Sequence, residues 1–491
     1  MTLEQPWDLH DGPPHGGAAA ASVGRMSETM TRQQRLVVAI AVLASFVAFL
    51  DGSIINVALP AIGRELGGGL TTQQWTVDAY LITLGALILL AGSVSDAYGR
   101  ILVLRIGLIG FAVASIAIAV APDPVLLIVA RAVQGAAGAF LVPSSLALIT
   151  STMRGPLQAQ AIGVWTALTT AATIAGPVVG GLFVDYLSWR LAFLINVVPI
   201  ALTLWLLTRL EARDVRRPDA SIDWLGAILC TLGLGGTVFA LIEQPNLGWS
   251  SPAIWLPLVL GIALFAAFLW RQRTVKDPIL PLELFRVRNF WTGNLATAFI
   301  YGALSLNGFV VGVYLQQGAG LTATLAGLAS IPTTLLLIVL SSRAGVLAGR
   351  WGPRLFMTVG PLVMAVGALL LLTVAVEFDY WWQVLPSMLV FGLGLGITVA
   401  PLTAAILGSI EPSRSGIASA VNNAVSRVAG LIVIAMLAAI VGGTLDLDGF
   451  HRAAIVTAAL MAAGGIVSFF GIRNPPRGAG AETTAAAVDG P

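Results

Sequence analysis

Long apolar runs alternate with short segments that are charged or rich in Gly and Pro. A helix that crosses a bilayer needs about 20 mostly apolar residues. The chain has fourteen such runs, at residues 36–57, 75–95, 102–121, 124–150, 160–182, 190–208, 224–243, 252–270, 292–316, 323–345, 354–376, 381–407, 416–440 and 452–471. The pattern predicts an all-α integral membrane protein with 14 transmembrane helices.

Two charged segments, before the seventh and after the eighth predicted helix, divide the chain. We predict an N-terminal six-helix bundle over 35–210, a linker with two extra transmembrane helices over 211–290, and a C-terminal six-helix bundle over 291–473. Polar, Gly- and Ala-rich residues 1–34 and 474–491 predict disordered cytoplasmic tails. Equal helix numbers in the two bundles suggest an internal duplication, and residues 92–100 and 345–354 do resemble each other weakly.

Basic residues lie unevenly between the two sides of the predicted bundle. Loops on the side of the N-terminus hold most of the arginines, whereas the opposite loops hold only Arg64, Arg190 and Arg452. Positive residues concentrate on the cytoplasmic side of membrane proteins. The asymmetry predicts a multi-pass protein of the plasma or inner membrane with both termini in the cytoplasm.

Composition excludes several classes of protein. Hydrophobic residues make up 57% of the 491 residues and charged residues 10%, with a net charge of +2, whereas soluble domains carry about 25% charged residues. That balance gives no electrostatic reason to expect a nucleic-acid partner. One cysteine and three histidines offer little to a metal site, and no nucleotide-binding P-loop is present. We expect no metal and no cofactor.

Three ionisable residues fall inside predicted spans, where charge is costly and indicates function. Asp51 lies about 15 residues into the first helix, and Asp78 enters the second from the outer side. Arg131 lies among apolar residues of the fourth. Each has a simpler alternative: a solvated carboxylate at the membrane interface for either acid, and a structural hydrogen-bond hub for Arg131.

Two glycine-containing motifs suggest movement or close packing. The hairpin with Gly92, Asp96, Gly99 and Arg100 places a carboxylate where it can pair with an arginine and separate again; otherwise the arginine only follows the charge asymmetry. On the fifth helix, Gly176 and Gly180 share a face with Ala172, beside Pro177 and Gly181. Small residues permit close helix contact, so ordinary packing is the alternative there.

A polar stripe runs along the thirteenth predicted helix at positions 415, 419, 422 and 426. Polar faces within a membrane line a water-filled cavity or pair with another helix. We expect Ser419, Asn422, Asn423 and Ser426 to line a central cavity, with interhelical hydrogen bonding as the alternative.

These segments together resemble the major facilitator superfamily, and within it the 14-helix drug:proton antiporters. The resemblance rests on Leu-Asp51-Gly-Ser-Ile-Ile-Asn-Val-Ala-Leu-Pro, on Arg131-x-x-Gln134-Gly, and on the two glycine motifs. It implies that Asp51, Asp78 and Arg131 couple transport to protons and that residues 92–100 form a gate. It also implies that residues 176–181 mark an exporter and that Gln134 lines the cavity.

The resulting prediction is a secondary active transporter that exports small amphipathic or cationic drugs in exchange for protons by alternating access, with the proton gradient as energy source. Alternatives are the same fold exporting an endogenous metabolite or lipid, or an uptake carrier. A membrane enzyme acting on lipid-linked substrates is a remote alternative, because the loops are short. Helices ten and thirteen contain no Asp or Glu, so monovalent lipophilic cations or neutral amphiphiles fit better than dications.

Overall fold

The computed structural model describes residues 30–211, 214, 222–411 and 414–474, and all its regular elements are helical. Thirteen helices there are long and apolar enough to cross a membrane, and a pair bent by 58° supplies a fourteenth span. The spans are α1 Arg32–Leu66, α2 Gly69–Leu87 with Ala91–Tyr98, α3 Arg100–Ala119, α4 Pro124–Thr152, α5 Gly155–Tyr186, α6 Trp189–Leu207, α7 Trp224–Leu247, α8 Pro252–Thr274, α9 Arg288–Gln317, α10 Ala323–Trp351, α11 Pro353–Thr373, α12 Tyr380–Leu407, α13 Ser415–Ala435 and α14 Leu447–Gly471. The 14-helix prediction is confirmed, with the second helix bent.

Short polar side chains fix where several spans begin. Thr31 and Gln34 form a reciprocal capping box at the start of α1, because the first backbone amides of a helix lack partners within it. The Asp123 carboxylate accepts a hydrogen bond from the Leu126 amide at the start of α4, and that of Asp446 accepts one from the Gly449 amide at the start of α14. Since α1 begins at Arg32, the predicted N-terminal tail is three residues too long. The remainder of both predicted tails lies outside the described residues.

Successive spans alternate in direction, so α1 begins and α14 ends at the same end of the bundle. We call this the tail end and the opposite one the distal end. The inserted pair α7 and α8 pack on each other, and α7 also packs on α2 and α13. Trp75 of α2 donates a hydrogen bond to Glu243 of α7 at 2.8 Å. We propose that α1–α6 and α9–α14 are the two six-helix bundles expected from the sequence, called below the N- and C-terminal halves.

Two glycines at matching places in the halves make the same kind of turn. Gly99 before α3 has φ +103°, and the Asp214 carboxylate accepts hydrogen bonds from the next amides, at Ile101 and Leu102. Gly352 before α11 has φ +86°, and Asn474 Oδ1 accepts from the Arg354 amide. In each half, a residue that follows the sixth helix thus caps the third helix, as expected of a duplicated fold.

The halves meet through α1 with α9, α2 with α13, and α5 with α10. Asn56 of α1 contacts the positions of Gly308 and Gly312 on α9. Gln74 of α2 donates to the Ile434 carbonyl of α13 at 2.7 Å. These residues lie in the distal halves of their helices, so the bundle is closed towards that end.

Candidate functional site

Asp51 is fully buried in α1 and has three side-chain partners. Its carboxylate accepts hydrogen bonds from Arg131 Nη1 at 2.7 Å, Gln134 Nε2 at 3.0 Å and Asn196 Nδ2 at 3.0 Å. The partners lie on α4 and α6, so the cluster joins three helices of the N-terminal half. A buried charge is costly unless it is paired and hydrogen-bonded, and the complete pairing of Asp51 with Arg131 meets that requirement.

Arg131 has further contacts that fix its guanidinium. Its Nε donates to the Thr76 carbonyl at 2.9 Å, which links the cluster to α2. The guanidinium carbon lies 4.4 Å from the ring centroid of Tyr80 and 5.7 Å from that of Phe193. Cations favour such positions over aromatic faces. Arg131 is therefore enclosed by acceptors and rings on several helices.

Asp78 is equally buried, but its environment is different. Neither carboxylate oxygen has a hydrogen-bond partner among the residues that the structure describes. Residues 74, 78 and 85 share one face of α2; Gln74 binds α13, and a Cβ at Gly85 would lie 3.6 Å from Cβ of Arg427. Asp78 thus lies on the α2 face that packs against the C-terminal half, apart from the Asp51 cluster.

A cavity of about 260 Å³ lies between the halves, close to the lower end of the range for small-molecule sites. Helices α1, α2 and α4 line it from one side, and α9 and α13 from the other. The lining residues are Ala48, Phe49, Gly52, Tyr80, Leu81, Leu84, Ile88, Gly138, Val142, Tyr301, Ser305, Asn422, Asn423, Ser426 and Arg427. Among these described residues only Arg427 carries a charge.

Some of the predicted cavity residues line the cavity in the structure, and others do not. Asn422, Asn423 and Ser426 line the cavity. Ser419 does not, because it lies one turn closer to the tail end, where its carbonyl accepts from Asn423. Gln134 does not either: it is fully buried, bonded to Asp51 and Ser115. Ser419 and Gln134 therefore lie outside the cavity that this conformation shows.

The predicted gate residues lie at the tail end. Arg100 Nη2 lies 3.2 Å from Asp96 Oδ1, and Arg100 Nη1 donates to the Ala147 carbonyl of α4. Both side chains of the ion pair are about one-third exposed. A Cβ at Gly99 would lie 2.5 Å from Asp214 Cγ, whereas one at Gly92 would meet nothing within 4 Å. The two glycines of this motif are thus under different steric constraints.

The glycine motif of α5 packs against α1 of its own half and against α10 of the C-terminal half. A Cβ at Gly176 would lie 1.8 Å from Ser53 Oγ of α1, and one at Gly180 3.1 Å from Val57. On the other side, a Cβ at Gly327 of α10 would approach the Pro177 carbonyl to 2.4 Å. Substitution here would separate α5 from its neighbours.

Four functional candidates have little signal in the sequence. Asn196 and Arg427 were visible only as polar residues in predicted helices, without partners. Asp214 lies in a charged linker, where an acidic residue does not by itself indicate a function. Asp185, near the distal end of α5, accepts hydrogen bonds from the amides of Ala323 and Thr324 at 2.9 and 2.7 Å. Their roles depend on segments that are distant in the sequence.

The family follows from comparison with known proteins. The model of the Major Facilitator Superfamily matches residues 41–434. The chain belongs to the Major Facilitator Superfamily. It is therefore a multi-pass membrane transporter and not an enzyme, as the sequence predicted.

The relatives of this transporter include resistance proteins. It is 36% identical over 405 residues to the puromycin resistance protein pur8 of Streptomyces alboniger, covering 80% of this chain and 79% of that protein. It is 31% identical over 438 residues to the methylenomycin A resistance protein of Streptomyces coelicolor, covering 88% and 90%. The multidrug resistance protein Stp of Mycobacterium tuberculosis is 31% identical over 422 residues, covering 85% and 78%.

Solved structures show the same fold. The crystal structure of a D-xylose-proton symporter matches with a TM-score of 0.66 at 15% identity, covering 90% of this transporter and 98% of that chain. The peptide transporter POT matches with a TM-score of 0.66 at 15% identity, covering 88% and 93%. At such identity the match concerns the fold alone, because one fold serves many substrates.

Proposed function

We propose that this transporter exports small amphipathic molecules across the cell membrane in exchange for protons, by alternating access. The unpartnered, buried carboxyl of Asp78 is the observation that carries the proposal. Relatives named for resistance to puromycin, methylenomycin A or several drugs support export as the direction. The basic residues at the tail end support an orientation with both termini in the cytoplasm.

Asp78 is our candidate for the proton carrier. A carboxylate without partners in apolar surroundings is costly, whereas a neutral carboxyl costs less. Asp78 packs on the face of α2 that contacts α13, so relative movement of the halves changes its surroundings. Release and uptake of a proton at Asp78 would then accompany that movement.

Asp51 and Arg131 have a different part in this proposal. Their ion pair is complete within the N-terminal half, with Gln134 and Asn196 as further donors to Asp51. Protonation of Asp51 would break the pair and leave Arg131 with a buried, uncompensated charge. We propose that the pair holds α1, α4 and α6 together while the halves move as units.

Alternating access is supported by where the halves touch. On α1, α2, α9 and α13, the residues that line the cavity lie on the tail side of the bridging residues Asn56, Gln74, Gly312 and Ile434. Asp185 closes the distal end through its bonds to the α10 amides. We propose that substrate enters this conformation from the tail end and leaves when the distal contacts separate.

The test uses purified protein in liposomes with an imposed pH gradient. A panel of lipophilic cations, neutral amphiphiles and amphipathic acids is added, and collapse of the gradient is recorded. We expect wild type to collapse the gradient when a substrate is added, and Asp78→Asn to lose this response. Asp448→Asn changes an exposed acid of α14 and should behave as wild type.

Other results would change the proposal in defined ways. Loss of the response in Asp51→Asn but not in Asp78→Asn would exclude Asp78 as the proton carrier, make Asp51 the candidate and leave antiport intact. If no compound in the panel collapses the gradient in wild type, the antiport of drug-like compounds is rejected. Export of an endogenous metabolite or lipid, or uptake, would then be the function to test.

A further inference from the structure

We propose that the central cavity binds amphipathic molecules with an anionic head group, such as a carboxylate, and that Arg427 binds that group. The inference rests on the proposed function only in taking the cavity as the substrate site. It differs from the expectation from the sequence that monovalent lipophilic cations or neutral amphiphiles fit better than dications.

Among the described residues that line the cavity, Arg427 alone is charged. Arg427 has no ion pair among the described residues, and its Nε is buried without a hydrogen-bond partner. A buried donor without an acceptor is unfavourable, and an acceptor on a ligand would remove that cost. A guanidinium presents several donors in a planar fork that matches a carboxylate.

Within the described part of the chain, no acid lines the cavity to compensate Arg427. Asp51 is already paired with Arg131, and Asp78 is buried in α2 and does not line the cavity. A cationic ligand would therefore meet a positive side chain and no carboxylate. An anionic ligand would meet the opposite charge in a site of low polarity, where attraction between charges is stronger than in water.

Other donors converge on the same space. The hydroxyl groups of Tyr80, Tyr301 and Ser305 have no hydrogen-bond partner within the described part of the chain, and all three residues line the cavity. They share the lining of this cavity with Arg427. They can donate to the oxygens of a head group that Arg427 binds.

The rest of the lining predicts an apolar body for the ligand. Phe49, Leu81, Leu84 and Ile88 form the apolar part of the wall. The amide of Asn422 is already engaged with Asn294 and Thr297 of α9, and that of Asn423 with the Ser419 carbonyl. The cavity therefore combines one cationic group and free hydroxyl donors with an apolar surface, which suits a small amphipathic acid.

Equilibrium binding with three probes tests this. The probes share a dansyl group and differ in the head: dansylglycine is anionic, its amide is neutral, and dansylaminoethyl-trimethylammonium is cationic. Fluorescence titration of the full-length protein in detergent should give dansylglycine at least about tenfold tighter binding than either other probe. Arg427→Gln should remove that preference and still bind the amide, which shows that the variant is folded.

Two further variants sharpen the result. Arg427→Lys keeps the charge and should keep part of the preference, whereas Arg105→Gln removes an exposed arginine of α3 and should change nothing. Absence of dansylglycine binding, equal or tighter binding of the cationic probe, or an unchanged preference in Arg427→Gln overturns the proposal. Binding is measured without a gradient, so a failure of proton antiport in liposomes would leave this result unaffected.

Discussion

Gly181 of α5 and Thr324 of α10 meet so closely that a Cβ atom on Gly181 would lie 2.5 Å from the Thr324 Cα. One turn further along α5, the Asp185 carboxylate accepts a hydrogen bond from the Thr324 amide at 2.7 Å. The two contacts join the halves at the distal end. The contact of Gly181 with Thr324 depends on the absence of a side chain at Gly181. A substitution with alanine therefore weakens this contact without changing the charge of the protein.

Gly181→Ala should open the distal end. The added methyl group must push α10 away, which weakens the distal contact and favours the conformation in which it is separated. A cysteine introduced at Leu84 in the cavity, with Cys230 replaced by serine, reports this opening. We expect faster labelling by an impermeant maleimide applied from the distal side.

Gly163→Ala on the same helix is the control for this experiment, because a Cβ there would meet nothing within 4 Å. Its labelling rate should equal that of the parent protein. Equal rates for Gly181→Ala and Gly163→Ala would show that the contact with Thr324 does not hold the distal end closed.

The Asp51–Arg131 pair should behave as one energetic unit. Removing one partner of a buried pair typically costs about 3–5 kcal/mol, so Asp51→Asn and Arg131→Gln should each lower the free energy of unfolding by about that amount. The double variant should lose clearly less than the sum, because neither charge is then left alone. Denaturant unfolding in detergent measures all four proteins, and strictly additive losses would contradict the pairing.

The two glycines of the predicted gate should differ in their tolerance of alanine. Gly99→Ala must adopt φ near +103° and also approach Asp214, so we expect a loss of about 1–3 kcal/mol in unfolding free energy. Gly92→Ala meets no neighbour within 4 Å and should not be destabilised. Thermal unfolding of both variants checks the difference, and equal stability would mean that Asp214 does not hold this turn.

Asp223 should give the inserted pair a pH-dependent stability. Its carboxylate accepts hydrogen bonds from the Gly226 amide, Arg271 Nε and Gln272 Nε2. Burial by itself raises the pKa of Asp223, but these hydrogen bonds and the Arg271 charge outweigh burial and lower the pKa below its usual value. The stabilisation is therefore complete above the unfolded pKa, about 3.9, and is lost as pH falls through the lower folded pKa.

Thermal unfolding between pH 7 and pH 3 tests this. Below about pH 4, the midpoint of wild type should fall more steeply than that of Asp223→Asn, which no longer has the titrating group. Asp448→Asn should follow the wild-type curve. Parallel curves for wild type and Asp223→Asn would show that the bonds to α7 and α8 add no pH-dependent stability.

The helices, and the positions at which charge enters the membrane, follow from the sequence alone. A chain in lipid must satisfy its backbone hydrogen bonds within each span, so apolar runs of sufficient length predict helices. Glycine and short polar residues mark several of their ends. Asp51, Asp78 and Arg131 were recognisable as functional candidates, because a charged residue within an apolar run is costly.

Which of those groups meet depends on how the helices pack together. Asp51 and Asp78 look alike in the sequence, yet one has three partners and the other has none. Gln134 belongs to the first cluster instead of the cavity, and Arg427 supplies the charge of the cavity. Such outcomes depend on how each helix is rotated and how it crosses its neighbours. Packing between segments far apart in the chain sets the rotation and the crossing of each helix. The residue pattern within a single helix does not encode that packing.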